Sequence, residues 1–489
     1  MIVMPKIELR SKLTLFDVTN LVVGAIIGAD IYVASSLGAA LLGPFSLVVW
    51  VIAGIIAIVI ALCFAECAAM VPKVGGPYAY AREAWGPFAG FTVGWSLWLA
   101  EWISLAVFPV AFTQYCLFFL PGMNIFSQTA VKVLFIIFLI VTNIFGVKAA
   151  GRTNDALTLA KLAPLIFFSA VGIIYVVSNT GTAAGNFAPF SPFGLGNFGP
   201  ALVLIFWAYA GFEISTIPAG EIDNPRRTIP KAILVGISIV TVFYLTTNFV
   251  LLGVTNWKQL TGNAPIATAT STALGSIPTL ALVGACIVGI GALISIAGSD
   301  ESGMIGTSRL GYALAADGLF PRAFARIHPK FKTPYLGIII QSVTALVAAI
   351  VGGLQMLIAT SVFFMSVAYA ATSASVFWLH RKSGESQGHL VGREILPSLG
   401  VVFSVYLISQ CPPTQIALGL ALLLIGVPIY IKYSPKKEMA ELKEALISRE
   451  TTLKRAYEQE HTFLAHALRH IKKYYRRVTG KKQTWDEAE

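Results

Sequence analysis

Apolar residues fill this chain in long runs, and polar residues gather in short clusters between them. About twelve such runs can be read, with approximate centres near Val22, Ala57, Leu99, Phe138, Phe167, Phe206, Phe243, Val288, Ala345, Ala368, Phe403 and Leu422. A helix of roughly 20 apolar residues crosses a bilayer. The pattern therefore predicts an all-α membrane protein with about 12 transmembrane helices. Between the second and third runs, Pro72 to Trp85 is short and amphipathic, carrying Lys73, Tyr78, Tyr80, Arg82 and Glu83. It reads as a helix lying on the membrane interface. After Ser434-Pro435 the pattern becomes charged and helix-favouring, with Leu442, Leu446, Leu453, Tyr457, Leu464 and Leu468 at helical spacing. That divides the chain into a transmembrane body, 1–433, and a tail, 434–489.

Two runs are interrupted at their centres. The first, from Leu13 to Leu42, contains Gly24-Ala25-Ile26-Ile27-Gly28-Ala29-Asp30; the sixth contains Trp207-Ala208-Tyr209-Ala210-Gly211-Phe212-Glu213. An ionisable group at the bilayer centre costs at least about 2.5 kcal/mol, so it faces a cavity or a pathway. In both runs glycine is followed two positions later by an acid. Interrupted segments at matching places in two halves point to a transporter site near the midplane. Helices 1 and 6 are predicted to be broken.

Composition narrows the class. Hydrophobic residues make up 56% and charged residues 12%, against about 25% charged in an ordinary soluble domain. Lys and Arg sort by alternate loops, eighteen (Lys6, Arg10, Lys12, Lys73, Arg82, Lys148, Arg152, Arg226, Arg227, Lys231, Arg309, Arg322, Arg326, Lys330, Lys332, Arg381, Lys382 and Arg393) against Lys132 and Lys258. That asymmetry predicts a multi-pass protein of the cell (cytoplasmic) membrane with both termini cytoplasmic. The net charge of +11 then reflects topology and lipid contact, and no nucleic-acid partner is expected. No short apolar core leads to a small-residue cleavage pattern, so the first span reads as retained. Cys63, Cys67, Cys116, Cys286 and Cys411 all fall in or beside apolar runs and read as packing residues. His466 and His470, one turn apart, lack the further ligands of a metal site, and no metal or cofactor is expected.

Several stretches resemble the amino acid–polyamine–organocation transporter family. They are the Gly-Ala-Ile-Ile-Gly core of span 1; Phe64-Ala65-Glu66 through Val71-Pro72-Lys73-Val74-Gly75-Gly76-Pro77-Tyr78; Trp207 to Glu213; Gly220-Glu221-Ile222-Asp223-Asn224-Pro225-Arg226-Arg227-Thr228-Ile229-Pro230; and Ala316-Asp317-Gly318-Leu319-Phe320-Pro321. The resemblance implies the leucine-transporter-type 5+5 inverted repeat plus two helices. It also implies secondary transport of amino acids or amines by alternating access.

The resemblance further implies site residues. The broken span 1 offers backbone N–H groups to an anionic solute group, and Gly24, Ala25, Ile27, Gly28 and Ala29 match that region. Asp30 departs from the family, which continues Gly-Thr-Gly. An ionised Asp about 4 Å from a solute carboxylate costs roughly 4 kcal/mol at an effective dielectric near 20, close to a thousandfold in affinity. Either Asp30 is protonated, or it points away, or it caps the helix end, or the solute is an amine. Trp207 matches an aromatic gate, with Phe206, Tyr209, Gly211 and Glu213 as substrate-binding neighbours. Glu66 is expected to support the inner gate.

Lys161 lies deep within span 5, where a subset of the family carries a lysine in place of a bound sodium ion. Gly24 and Ser299 belong to the same cation-site region. A buried ammonium exchanges its proton closer to neutral pH than an exposed one, which favours proton coupling; a permanent ion pair is the alternative. Asp300 and Glu301 in span 8 are the candidate partners. Helix neighbours lie 100° apart, so both cannot face one point; alternatively span 8 ends early and both are wetted. With Asp30, Glu66, Glu101 and Glu213 these make six acids in the spans, an excess that favours a cationic solute or several protonated carboxyls.

The expected function is secondary active transport of amino acids or related amines, proton-coupled, by alternating access. Exchange of amines or polyamines without net ion coupling, or solute sensing through the tail, are the alternatives. Expected partners are a small-molecule substrate, the proton and the bilayer, with anionic lipid at the basic tail of Lys472, Lys473, Arg476, Arg477, Lys481 and Lys482. No enzyme is expected: no phosphate loop or nucleophile pattern accompanies the buried acids.

Overall fold

A computed structural model describes residues 14–71, 75–145, 151–213, 222–260, 262–383 and 394–434, with residues 151–160 and 225–226 described as helix only. The tail from 435 onward lies outside the described residues, as do residues 72–74 of the expected interfacial helix and Gly220-Glu221 of the loop after span 6.

Among the described residues the regular structure is helical. Span 1 is split into α1 (Leu15–Ile26) and α2 (Ala29–Leu42), and span 2 is α3 (Ser46–Met70). Helix α4 (Pro77–Trp85) follows, then α5 (Pro87–Phe119), α6 (Ile125–Phe145) and α7 (Gly151–Ser178) as spans 3 to 5. The short α8 (Thr180–Asn186) precedes α9 (Phe198–Trp207), the first half of span 6. Span 7 is α10 (Pro225–Val254), α11 (Pro265–Ala273) is short, and span 8 is α12 (Pro278–Ala316). Spans 9 to 12 are α13 (Tyr335–Val351), α14 (Leu354–Ser383), α15 (Ile395–Gln410) and α16 (Pro413–Tyr433). Eight stretches are long and apolar enough to cross a membrane, and the shorter apolar helices α1, α9, α13 and α15 add to them. The protein is an all-α, multi-pass membrane protein of about twelve spans.

The breaks are built from the residues that interrupt the apolar pattern. Helix α1 closes with Ile27 in extended geometry (φ −78°, ψ 109°), and Gly28 opens α2. A Cβ on Gly28 would overlap the Ser299 side chain of span 8, so only glycine lets the break press against that helix. In span 6, regular α-helix ends at Trp207. The N–H groups of Ala208, Tyr209 and Ala210 bond to carbonyls three residues back, a tightened last turn. Gly211 follows in the left-handed region (φ 115°), and a Cβ there would sit 2.7 Å from the Ala25 carbonyl oxygen.

Breaking two helices in a membrane frees carbonyls that lipid cannot satisfy. Span 7 supplies the remedy. The Tyr244 hydroxyl lies 3.1 Å from the Ile26 carbonyl and 3.0 Å from that of Ala208, sharing one donor between both broken ends. Tyr244 is fully buried, in edge contact with Trp50 and Tyr209.

The expected interfacial helix is α4, whose first residues Pro77 to Ala81 are buried. It is clamped to the end of span 8: the Tyr78 hydroxyl donates to Asp317 Oδ2 at 2.5 Å, and Arg82 reaches both groups at 2.8 Å. Burial and the neighbouring Asp317 carboxylate push the Tyr78 phenol above its ordinary value.

Candidate functional site

The two breaks enclose one side of a cavity that, together with the open space at its mouth, amounts to about 520 Å³. Span 1 contributes Ala25 and Asp30; span 6 contributes Trp207, Ala210, Gly211 and Glu213. Span 3 adds Glu101, Ser104, Leu105 and Phe108, span 8 adds Ser299, Ser302 and Gly303, and span 10 adds Met365.

Trp207 is fixed on this cavity by a polar relay. Its indole Nε1 donates to Ser104 Oγ at 3.3 Å, Ser104 and Ser361 share a bond of 2.8 Å, and Ser361 donates to the Ala100 carbonyl at 3.0 Å. Phe108 packs against the indole with ring centroids 6.0 Å apart. The aromatic face thus hangs between spans 3, 6 and 10.

Three carboxyl groups line the same space. Glu213 Oε2 accepts the Gly211 N–H at 3.0 Å, which holds the acid against its own break. Its carboxyl and that of Glu101 are in hydrogen-bonding contact, and the Tyr369 hydroxyl lies beside Glu213. Asp30 is 6% exposed, and its carboxylate accepts from its own backbone N–H.

Lys161 sits behind Asp30, with a buried side chain. Its ammonium donates to Ser299 Oγ at 3.3 Å, and the carboxylates of Asp30 and Glu301 act on it through space. Gly298 makes room for it: a Cβ there would meet Lys161 Cε at 2.9 Å.

The expected site residues divide by position. Ala25, Asp30, Trp207, Gly211, Glu213 and Ser299 line the cavity. Ile27, Gly28 and Ala29 form the break itself but do not line the cavity, and Gly24 lies within α1. Phe206 packs on Tyr369 instead, and Tyr209 turns away because its hydroxyl donates to the Trp50 carbonyl at 2.9 Å. Glu66 lies outside the cavity, its Oε1 2.9 Å from His380 Nε2. The two acids of span 8 separate as their 100° offset requires. Glu301 acts on Lys161, whereas Asp300 is fully buried and has no hydrogen-bond partner for either carboxyl oxygen among the described residues. Span 8 continues well past both, to Ala316. Ser104, Phe108 and Tyr369 had no signal in the sequence beyond being polar or aromatic residues within apolar runs; Glu101 had one, an acid within a span.

The family model described as Amino acid permease matches residues 13–431. The chain belongs to the amino acid permease family. Three curated relatives, all from Bacillus subtilis (strain 168), resemble this amino acid permease family member over nearly its whole body. The branched-chain amino acid permease BcaP is 29% identical across 88% of this chain and 94% of its own length. The methylthioribose transporter is 27% identical across 88% and 95%, and the serine/threonine exchanger SteT 27% identical across 88% and 98%. As a member of the amino acid permease family the chain is a membrane transport protein, and the match takes in both breaks and the cavity between them.

Proposed function

We propose that the chain is a secondary active transporter of amino acids or related amines, coupled to protons and working by alternating access. The cavity between spans 1, 3, 6, 8 and 10 is the solute site, with Trp207 as its gate. Asp30, Glu101 and Glu213 carry its charge, and Ala25 and Gly211 form its backbone wall.

The observation that carries the coupling is the position of Lys161. Its ammonium bridges span 5 to Ser299 of span 8 and lies under the influence of Asp30 at the break of span 1. A movement of span 1 against spans 5 and 8 alters the charge that the lysine meets, and so its hold on its proton. Glu301 keeps a second carboxylate on it; Asp300 has no direct part in this exchange. At the end of the bundle that carries the basic loops, the Glu66–His380 pair ties span 2 to span 10 and supports the inner gate. The lysine and arginine asymmetry puts both termini on the cytoplasmic side of the cell membrane. The basic tail contacts anionic lipid there.

The test is solute uptake by the full chain in proteoliposomes. Uptake is expected to respond to an imposed proton gradient, to be indifferent to sodium, and to be lost in Lys161→Ala. Uptake that follows a sodium gradient with no proton flux contradicts the coupling.

A further inference from the structure

The cavity holds an excess of negative charge that the lysine does not balance. Three carboxyl-bearing side chains, Asp30, Glu101 and Glu213, line it, and no basic side chain among the described residues does. Lys161 is spoken for: its ammonium is directed at Ser299, with Asp30 and Glu301 around it. The remaining two acids meet each other. An ionised carboxylate only accepts hydrogen bonds, so two carboxyls in hydrogen-bonding contact need a proton between them. Glu213 is buried, its Oε2 is held by the Gly211 N–H, and the Tyr369 hydroxyl stands next to it.

The other side of the cavity excludes a solute carboxylate. At the break of span 1, where an anion would meet backbone N–H groups, Asp30 already occupies its own N–H. No side-chain donor among the described residues hydrogen-bonds to the Asp30 carboxylate, which is aimed into the cavity and 6% exposed. The Asp30 carboxyl fills the space beside the break and takes the N–H that a solute anion would use.

We infer that the cavity takes an organic amine lacking a free carboxylate, and that its ammonium takes the place of the proton shared by Glu101 and Glu213. An ammonium has three N–H donors, enough to bond both carboxyls and leave one for Asp30 or the Ser302 side. The bridging position holds either the proton or the ammonium. One proton leaves to water for each amine bound, and charge balances: one positive charge enters as one departs. Trp207 lies over the same space and offers its ring face to the cation. The inference rests on the cavity being the solute site of a transporter.

Matched solutes that differ only by the carboxylate provide the test. The purified full-length chain is titrated calorimetrically with isobutylamine against valine and with ethanolamine against serine, in buffers of different ionisation enthalpy. The amine of each pair is expected to bind at least about 100-fold more tightly, since Asp30 occupies the place and the N–H that a carboxylate alone would need. The buffer dependence is expected to report one proton released per amine. In Glu101→Gln, with its unfolding temperature checked, amine affinity is expected to fall with the lost carboxylate and the residual binding to show no proton release, because no shared proton remains. Valine or serine binding as tightly as its amine overturns the inference, as does amine binding without proton release in the wild type. Binding of the amino acids alone leaves the transport reading standing; binding of neither class to the folded protein overturns both.

Discussion

Gly211 leaves room for the Ala25 backbone: a Cβ on Gly211 would lie 2.7 Å from the Ala25 carbonyl oxygen. This contact joins the two breaks, and Tyr244 stitches the carbonyls on either side of it. The opposing atom is backbone and has no rotamer to escape into.

Gly211→Ala is therefore expected to destabilise the protein and to stop transport. The left-handed φ alone costs a non-glycine residue of the order of 1 kcal/mol or more, and the carbonyl clash adds to it. Gly181→Ala, where nothing lies within 4 Å of the added Cβ, is expected to leave the unfolding temperature unchanged. Equal unfolding temperatures for the two variants would remove the contact from the fold's support.

Lys161 and Asp30 are expected to depend on each other. Lys161→Met takes the nearby cation from a buried carboxyl that it meets only through space, and is expected to lower the unfolding temperature. Asp30→Asn removes the stranded charge. The double variant is expected to unfold at a higher temperature than Lys161→Met alone. Additive losses in a double-mutant cycle would show that the two groups do not interact.

The Tyr78–Asp317 clamp carries a pH signature. Burial and the Asp317 carboxylate raise the phenol above its ordinary 10 in the folded protein. A raised folded-state value gives stability that is complete below the unfolded value and is lost as pH climbs above it. The gap in unfolding temperature between wild type and Tyr78→Phe is thus expected to stay constant from about pH 6 to pH 9 and to close above roughly pH 10. A gap that changes between neutral pH and pH 8 would assign the clamp to another group.

The breaks were legible in the sequence because a glycine followed by an acid is out of place at the centre of an apolar run. Asp30 and Glu213 could be picked for the same reason, and Lys161 because it stands alone within its span. Which way a side chain turns was not legible. Tyr209 is two residues past Trp207, but the helix ends between them, so helical spacing no longer tells its direction; its hydroxyl goes to Trp50. Asp300 and Glu301 differ by one position, and only the rotation of the 39-residue α12 decides which of them meets Lys161. The contact of Glu101 with Glu213 joins residues of spans 3 and 6, and no local pattern encodes it.

Asp30 is the residue on which the solute reading turns, and isosteric removal of its charge tests it most directly. Binding of valine and isobutylamine is measured on the wild type and on Asp30→Asn by the same calorimetry. The charge at the break, if it selects the solute, gives an Asp30→Asn protein that gains at least about tenfold in affinity for valine, as the repulsion of two anions is lifted. An unchanged ratio of the two affinities would place Asp30 away from the solute and contradict the site as drawn.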